Sequence, residues 1–165
     1  MFSSKKIERR YSSVKDAFLQ MGNFCAYQER SQQEVREKLY EKYVLNEEEV
    51  EFIIARLIEE GYVNEERFAK VYAGSKFRVK KWGRLKIRQA LKQQGISDYC
   101  IRQGMAEIDD EDYEKILGHL LEKKNKLLSE KNPLKRKQAL LRYALGKGYE
   151  SDVVWAALEA LLDKP

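Results

Sequence analysis

Apolar residues recur along this chain at intervals of three and four, which is the spacing of one face of an α-helix. The fullest stripe comprises Val50, Ile53, Ile54, Leu57 and Ile58, and it is followed by a glycine of the kind that ends helices. Polar residues that cap helices precede most of the stripes. The predicted starts include Ser31, Asn46, Asn64, Ser97, Asp109 or Asp110, and Asn132. The pattern therefore predicts nine helices and no β-strand.

The same spacing predicts which side of the other helices faces inward. The predicted inward residues are Val14, Ala17, Phe18, Met21 and Cys25 in the first helix, Val35, Leu39 and Tyr43 in the second, Phe68, Val71, Tyr72, Ser75 and Val79 in the fourth, Ile87 and Leu91 in the fifth, Ile101, Met105 and Ile108 in the sixth, Tyr113, Ile116, Leu117, Leu120, Leu121, Leu127 and Leu128 in the seventh, and Val154, Ala157, Leu158, Leu161 and Leu162 in the ninth. This assignment leaves Phe77 on the side of the fourth helix opposite its stripe.

The stripes and caps repeat at intervals of about 50 residues. The pair Gly95-Ile96 corresponds to Gly148-Tyr149, and Ile87 corresponds to Val35. A unit of three helices is too small to be comfortable alone, so neighbouring units should stack and share apolar surface. The predicted fold is all-α, with three tandem three-helix repeats stacked into an elongated, curved molecule. Its predicted divisions are a flexible N-terminal arm at residues 1–12 and repeats at residues 13–63, 64–108 and 109–165.

Positive charge is concentrated in one segment. Residues 75–95 contain eight Lys or Arg and no Asp or Glu, although the formal net charge of the chain is only +5. Acidic segments at residues 44–66 and 107–114 flank this run. Any single one of these bases is explained as well by solvation, but an uncompensated run favours a surface that meets phosphates. With two outward bases of the eighth helix, the candidate nucleic-acid or filament contacts are Lys76, Arg78, Lys80, Lys81, Arg84, Lys86, Arg88, Lys92, Lys135 and Arg142.

Two aromatic residues within the basic run have two interpretations. Phe77 and Trp82 could stack on bases or anchor a protein partner. They could equally fill the seam between two repeats, and the sequence leaves both interpretations open.

The sequence contains no recognisable catalytic constellation. The single histidine, His119, lies among Lys, Glu and Leu, and no nucleophile elbow, phosphate-binding loop or paired-cysteine metal motif occurs. Acidic clusters at residues 47–51 and 109–112 coincide with helix starts, where carboxylates stabilise the helix dipole. Cys25 and Cys100 are interpreted as two small buried residues in a reducing compartment, in preference to a disulfide or a metal site. We therefore expect no enzyme, no cofactor and no metal site.

The N-terminal sequence lacks the apolar core of a signal peptide, and no apolar run approaches the roughly 18 residues of a membrane span. The expectation is a cytoplasmic protein that does not enter a membrane.

Several segments resemble the RecX family of recombinase regulators. The resemblance is carried by Arg30-Ser31, Glu34, Lys38-Leu39, residues 61–69 (GYVNEERFA), Gly83, Ile87, Leu91 and Gly95-Ile96, and the wider pattern extends over residues 30–162. Two positions depart from the family pattern. Asn64 stands where acids are common, and Arg84 stands where proline often follows the glycine. Both are helix starts, so the departures concern capping.

The resemblance implies a tandem-repeat protein that binds the RecA filament in its groove and inhibits recombination without enzymatic activity of its own. The implied partner is the RecA recombinase filament. The basic run predicts weak, salt-sensitive binding to single-stranded and double-stranded DNA, and the chain is expected to be a monomer. Two other interpretations remain: a plain DNA-binding helical-repeat module without a RecA partner, and a structural adaptor that bridges proteins through acidic and basic patches.

Overall fold

The computed structural model describes residues 13–163, so the predicted arm at residues 1–12 lies outside the described residues. The described part folds into nine α-helices and contains no β-strand, as the pattern predicts. The helices are α1 (Val14–Tyr27), α2 (Gln32–Lys42), α3 (Glu47–Glu59), α4 (Glu65–Arg78), α5 (Arg84–Gln93), α6 (Asp98–Met105), α7 (Asp110–Leu127), α8 (Pro133–Gly146) and α9 (Ser151–Leu162).

The helices pack in consecutive groups of three. We call α1–α3 repeat 1, α4–α6 repeat 2 and α7–α9 repeat 3. Within each repeat the first and third helices lie against each other, and the second helix packs against both of them. The tandem three-helix architecture is therefore confirmed. The exact divisions between repeats and the elongated, curved outline stay predictions.

The predicted helix starts are formed by local hydrogen bonds. The side chains of Ser31 and Asn46 each accept a hydrogen bond from the backbone N–H three residues on. The carboxylates of Glu34 and Glu49 in turn accept a hydrogen bond from the backbone N–H of the cap residue. These are the two capping boxes expected from the sequence. The side chains of Asn64, Ser97, Asp109 and Asn132 accept the corresponding bond at α4, α6, α7 and α8. The positions of the caps were thus correctly predicted.

The apolar residues form two separate clusters. One cluster lies wholly within repeat 1 and includes Ala17, Met21, Val35, Leu39 and Leu57. The other runs through repeats 2 and 3 without a break. Its buried residues include Phe68, Phe77, Ile87, Leu91, Ile101, Tyr113, Leu117, Leu121, Leu140, Tyr149, Val154 and Leu158. Repeats 2 and 3 therefore share one core, and repeat 1 has its own.

The prediction for the inward face of α4 is correct for Phe68, which is buried, and wrong for Val71 and Val79. Val79 is 71% exposed and Val71 is also exposed, whereas Phe77, placed on the opposite side, is only 3% exposed. The face that packs is centred on Ala69 and Ala73. A Cβ added at Gly104 of α6 would lie 2.7 Å from the carbonyl oxygen of Ala69, so these small residues allow the two helices to approach closely. The inward side of α4 is therefore rotated toward its alanines.

Three further residues predicted to face inward are exposed. Ile58 is 43% exposed, Leu127 is 73% exposed, and Leu162 is also exposed. Each lies in the last turn of its helix, where the periodic pattern continues but the neighbouring helices no longer cover the surface. The apolar spacing thus overestimates burial at helix ends.

Candidate nucleic-acid interface

The basic run lies at the end of α4, in the turn at residues 79–83 and along α5. Lys81 adopts a left-handed backbone conformation, with φ of 59°. Its ammonium donates to the carbonyl of Arg78 at 2.6 Å, and its own carbonyl accepts a bond from the hydroxyl of Tyr149 at 2.9 Å. The turn is therefore held against repeat 3 by its backbone, which fixes the direction of the side chains that it carries.

Trp82 lies beside two of the predicted contact residues. The ammonium of Lys76 is 5.0 Å from the centre of its ring, and that of Lys86 is 4.6 Å away. Both distances permit cation–π attraction. Lys76 also lies 5.3 Å from the ring of Tyr72. Trp82 is half-buried and packs against the shared core, so its ring supports these lysines and also contributes to the seam between the repeats.

Phe77 belongs to the seam. It is buried in the core shared by repeats 2 and 3, and its ring centre is 5.8 Å from that of Tyr113. Tyr113 in turn lies 4.9 Å from the ring of Tyr149. Of the two interpretations left open by the sequence, the structure favours seam packing for Phe77.

Arg84 differs from the other predicted contacts because its charge is already paired. Its guanidinium lies 3.2 Å from Glu150, forms an ion pair with Asp110 and stacks 3.8 Å from the ring centre of Tyr113. Its backbone N–H donates to the hydroxyl of Tyr113 at 3.0 Å, a bond that the proline common in the family at this position could not make. Arg84 therefore joins repeats 2 and 3.

Tyr113 is held neutral in this arrangement. Burial is the main reason that its pKa lies well above the usual range, and the hydrogen bond that its hydroxyl donates to Glu150 adds to the effect. Arg84 works in the opposite direction but is outweighed. The seam therefore contains a tyrosine that acts as a hydrogen-bond donor and acceptor and does not ionise near neutral pH.

Positive charge continues from the basic run into repeat 3 through two lysines that were not predicted as contacts. The ammonium of Lys147 donates to the carbonyl of Lys80 at 3.3 Å and lies 6.0 Å from the ring of Tyr143. The ammonium of Lys124 lies 5.2 Å from the centre of the same Tyr143 ring. The spacing of Tyr143 and Lys147, one helical turn apart, is a signal that could have identified this pair.

The remaining predicted contacts are exposed. Arg78, Lys80, Lys86, Arg88 and Lys92 project from the end of α4, the turn and α5, and Lys135 and Arg142 project from α8. Apart from Arg84, none of the ten predicted residues forms an ion pair with a carboxylate among residues 13–163. We define the basic surface as the nine unpaired cations Lys76, Arg78, Lys80, Lys81, Lys86, Arg88, Lys92, Lys135 and Arg142, together with Lys124 and Lys147.

No group of three His, Cys, Asp or Glu side chains within residues 13–163 is arranged to hold a metal ion. His119 is exposed on α7. Cys25 and Cys100 are free thiols, and burial raises the pKa of Cys25 to about 11. Across the same residues, none of the helices combines the length and apolar character that a membrane span requires.

The repeats correspond one by one to known family domains. Residues 17–57 match the first three-helix domain of RecX, residues 64–105 match the second, and residues 110–158 match the third. The chain belongs to the RecX family. The resemblance noted in the sequence is thereby confirmed.

Individual RecX proteins are similar over most of this chain. Regulatory protein RecX of Bacillus mycoides (strain KBAB4) is 29% identical over 151 residues, which cover 92% of this chain and 56% of that protein. The RecX of Bacillus cytotoxicus shows the same identity and coverage. This chain therefore spans about half the length of the curated relatives that it matches.

Solved RecX structures have the same fold. The crystal structure of RecX from Lactobacillus salivarius superposes with a TM-score of 0.80, covering 90% of this chain and 96% of that chain at 22% identity. A crystal structure of regulatory protein RecX also gives a TM-score of 0.80, covering 88% of this chain and 71% of that chain at 23% identity. At these identities the similarity establishes the RecX fold.

Proposed function

We propose that this RecX-family chain binds a filament of RecA recombinase on single-stranded DNA and lowers its strand exchange, ATP turnover and growth. The relatives that it matches bear the name regulatory protein RecX. The observation that carries the proposal is the basic surface, since none of its eleven cations has a carboxylate partner among residues 13–163. Such cations bind phosphates and release counterions from nucleic acid.

Acidic residues give the chain a second kind of contact. Glu47, Glu48 and Glu49 lie in the first turn of α3, and Asp110, Glu111 and Asp112 lie in the first turn of α7. A protein–DNA filament offers phosphates to the basic surface and basic side chains of the recombinase to these acids. Several weak contacts made together raise avidity without any single strong one. Regulation on this basis requires binding alone and no bond-making step by this chain.

The test compares filament and naked DNA in the same buffer. RecA ATPase and strand exchange are measured against increasing amounts of the chain, with DNA in excess over the amount that RecA requires. The proposal expects both activities to fall, and it expects tighter binding to the filament than to naked DNA. Full recombinase activity at saturating amounts would contradict it.

A charge-reversed variant locates the contact. Arg88→Glu with Lys92→Glu places two acids in the middle of the basic surface and should weaken both DNA binding and inhibition. For naked duplex, each lost phosphate contact should flatten the log–log salt dependence by roughly 0.9, and by about 0.7 for a single strand. Lys15→Glu with Arg102→Glu is the matched control, because it changes net charge equally at two exposed bases outside the basic surface. An unchanged slope in the first variant would assign α5 to other contacts.

The same cations support a second candidate function, a plain DNA-binding module. That function predicts equal affinity for naked DNA and filament and no effect on recombinase activity beyond competition for DNA. An adaptor between proteins would bind neither form of DNA with a salt-dependent affinity. The comparison of filament with naked DNA therefore separates all three.

A further inference from the structure

A groove on repeat 3 lies between α7 and α9 and has a volume of about 610 Å³. None of the cations of the basic surface lines it. Small residues form much of its lining, so that a bulky element can approach the backbone of both helices. These residues are Gly118, Ala156, Ala157 and Ala160.

The corresponding helices of repeat 2 pack closely together. There α4 and α6 approach so closely that a Cβ at Gly104 would lie 2.7 Å from the backbone of Ala69. In repeat 3, by contrast, a Cβ at Gly118 would meet no atom within 4 Å. The groove between α7 and α9 is therefore a feature of repeat 3 that the close packing of repeat 2 lacks.

The charged residues around the groove give it an acidic rim. Glu114 and Asp152 line it and form no ion pair with a cation among residues 13–163, and Glu122 is paired only with Lys126 at 3.6 Å. Lys115, the one lysine in the lining, lies 3.2 Å from Glu111. Carboxylates in this arrangement repel phosphates and attract Lys or Arg. The occupant that fits is a protein segment with basic flanks.

We propose that this groove docks an amphipathic α-helix of the filament's protein subunit, with small or apolar side chains entering the groove and Lys or Arg meeting Glu114 and Asp152. The proposal rests on the proposed function and assigns the protein contact to repeat 3, while the basic surface takes the DNA. A helix seated between two helices uses the ordinary packing of ridges into grooves. The groove thus supplies the part of filament recognition that naked DNA cannot satisfy.

Filling the groove is the first test. Gly118→Leu places a branched side chain in open space at a mid-helix position, where replacing glycine favours the helix, so the variant should fold with an unchanged or higher midpoint of unfolding. Its affinity for the RecA filament should fall at least tenfold, while its affinity for naked single-stranded DNA stays as in the unaltered chain. Gly118→Ala is the control, since it gives the same helical benefit with little filling and should bind the filament nearly normally.

Reversing the rim is the second test. Glu114→Lys with Asp152→Lys should weaken filament binding and leave naked-DNA binding equal or stronger. Glu107→Lys with Glu159→Lys makes the same change in net charge at exposed acids outside the groove and should not weaken filament binding. A photoreactive benzoylphenylalanine in place of Glu122, an exposed residue of the rim that leaves the small residues of the groove unaltered, should crosslink to RecA and not to the DNA strand.

The outcomes separate this inference from the proposed function. If the unaltered chain inhibits RecA and Gly118→Leu inhibits equally, the docking inference is overturned and the proposed function stands. A crosslink from position 122 to DNA would overturn it as well. If the unaltered chain binds the filament no better than naked DNA, the proposed function and the docking inference are both rejected.

Discussion

Apolar residues cross the junction between repeats 2 and 3 in one continuous cluster, whereas those of repeat 1 form a cluster of their own. At the junction between repeats 2 and 3 the two backbones are also joined by hydrogen bonds. The N–H of Gly83 donates to the carbonyl of Lys147 at 2.8 Å, and that of Leu85 donates to the carbonyl of Gly148 at 2.9 Å. The hydroxyl of Tyr149 adds a bond to the carbonyl of Lys81. Repeats 2 and 3 are therefore joined by core, rings and main chain together.

The junction between repeats 1 and 2 depends mainly on side chains. Arg67 forms an ion pair with Glu29 and donates to the carbonyl of Gly61 at 2.9 Å. The hydroxyl of Ser31 donates to the side-chain oxygen of Gln94 at 2.8 Å. One carboxylate oxygen of Glu29 is buried and has no hydrogen-bond partner among the described residues. This junction includes an imperfectly satisfied polar contact.

The difference between the two junctions indicates which repeats unfold together. Stacked repeats unfold together when the interface between them is strong and separately when it is weak. We expect repeats 2 and 3 to behave as one cooperative unit and repeat 1 as another. The basic surface spans the strong junction, because Lys80 of repeat 2 contacts Lys147 of repeat 3. The proposed DNA contacts thus lie on the more firmly joined part of the molecule.

Core substitutions in the two units should have the largest effects. Leu57 and Leu117 are both fully buried, so Leu→Ala at either position should cost about 2–5 kcal/mol. With Cys100 replaced by Ser so that Cys25 is the reporting thiol, Leu57→Ala should expose that thiol at lower urea concentration without moving the transition of tryptophan fluorescence. Leu117→Ala should shift the fluorescence, since both tryptophans, Trp82 and Trp155, lie in repeats 2 and 3. If both probes move together for each variant, the two units are not independent.

Gly83→Ala should disrupt the strong junction itself. A Cβ at Gly83 would overlap backbone atoms of Gly148 and Tyr149, so one of the two chains must shift. Overpacking of this kind typically costs about 1–3 kcal/mol. We expect the fluorescence transition to move to lower urea concentration and repeat 1 to be unaffected. Gly146→Ala is the control, because a Cβ there meets nothing within 4 Å; an equal loss in both variants would contradict the close approach as the cause.

The sequence was sufficient to predict the helices and their caps because both depend on neighbours a few residues away. Ser31 with Glu34, and Asn46 with Glu49, form their capping boxes within single turns. The family could also be recognised from a local segment, because residues 61–69, at the junction of repeats 1 and 2, carry its most specific motif.

The roles of some residues could not be predicted because their partners are distant in the chain. Arg84 looks like one more cation of the run, but Asp110 and Glu150 pair with it across the junction. The packing face of α4 could not be predicted for a related reason. Its alanines are too small to stand out as an apolar stripe, and their importance depends on Gly104 of another helix.

Raising the pH should lower the stability of the two units, beginning at a different pH in each. Burial raises the pKa of Cys25 in repeat 1 to about 11, and burial raises the pKa of Tyr113 and Tyr149 above the usual tyrosine range. In the unfolded chain these groups ionise near about 8.5 for Cys and about 10 for Tyr, so above those values the unfolded state binds fewer protons than the folded state. Stability is therefore fully retained below those values and falls as pH rises, by up to about 1.4 kcal/mol per pH unit for each group.

This ordering can be measured by urea unfolding between pH 7 and pH 11. Repeat 1, followed by hydrogen exchange of its amides, should begin to lose stability at lower pH than the tryptophan-containing unit. Cys25→Ala should remove the early part of the loss in repeat 1 and leave the later loss in repeats 2 and 3. A pH dependence of repeat 1 that persists in Cys25→Ala would assign it to other groups.

The smallest effect is expected at the weak junction, from Arg67→Ala. The Arg67 side chain is 43% exposed and that of Glu29 is 22% exposed, so solvent screens the ion pair and its loss should cost only about 1 kcal/mol. Because Arg67 also donates to the carbonyl of Gly61, the change should loosen the contact between repeats 1 and 2 more than it destabilises either core. Hydrogen exchange should therefore rise at residues 60–67 while amides within α1 and α5 keep their protection. Arg36→Ala, which removes a partly exposed ion pair to Glu51 between α2 and α3 of repeat 1, is the matched control and should leave the exchange of residues 60–67 nearly unchanged. Equal exchange in the two variants would mean that Arg67 does not couple the repeats.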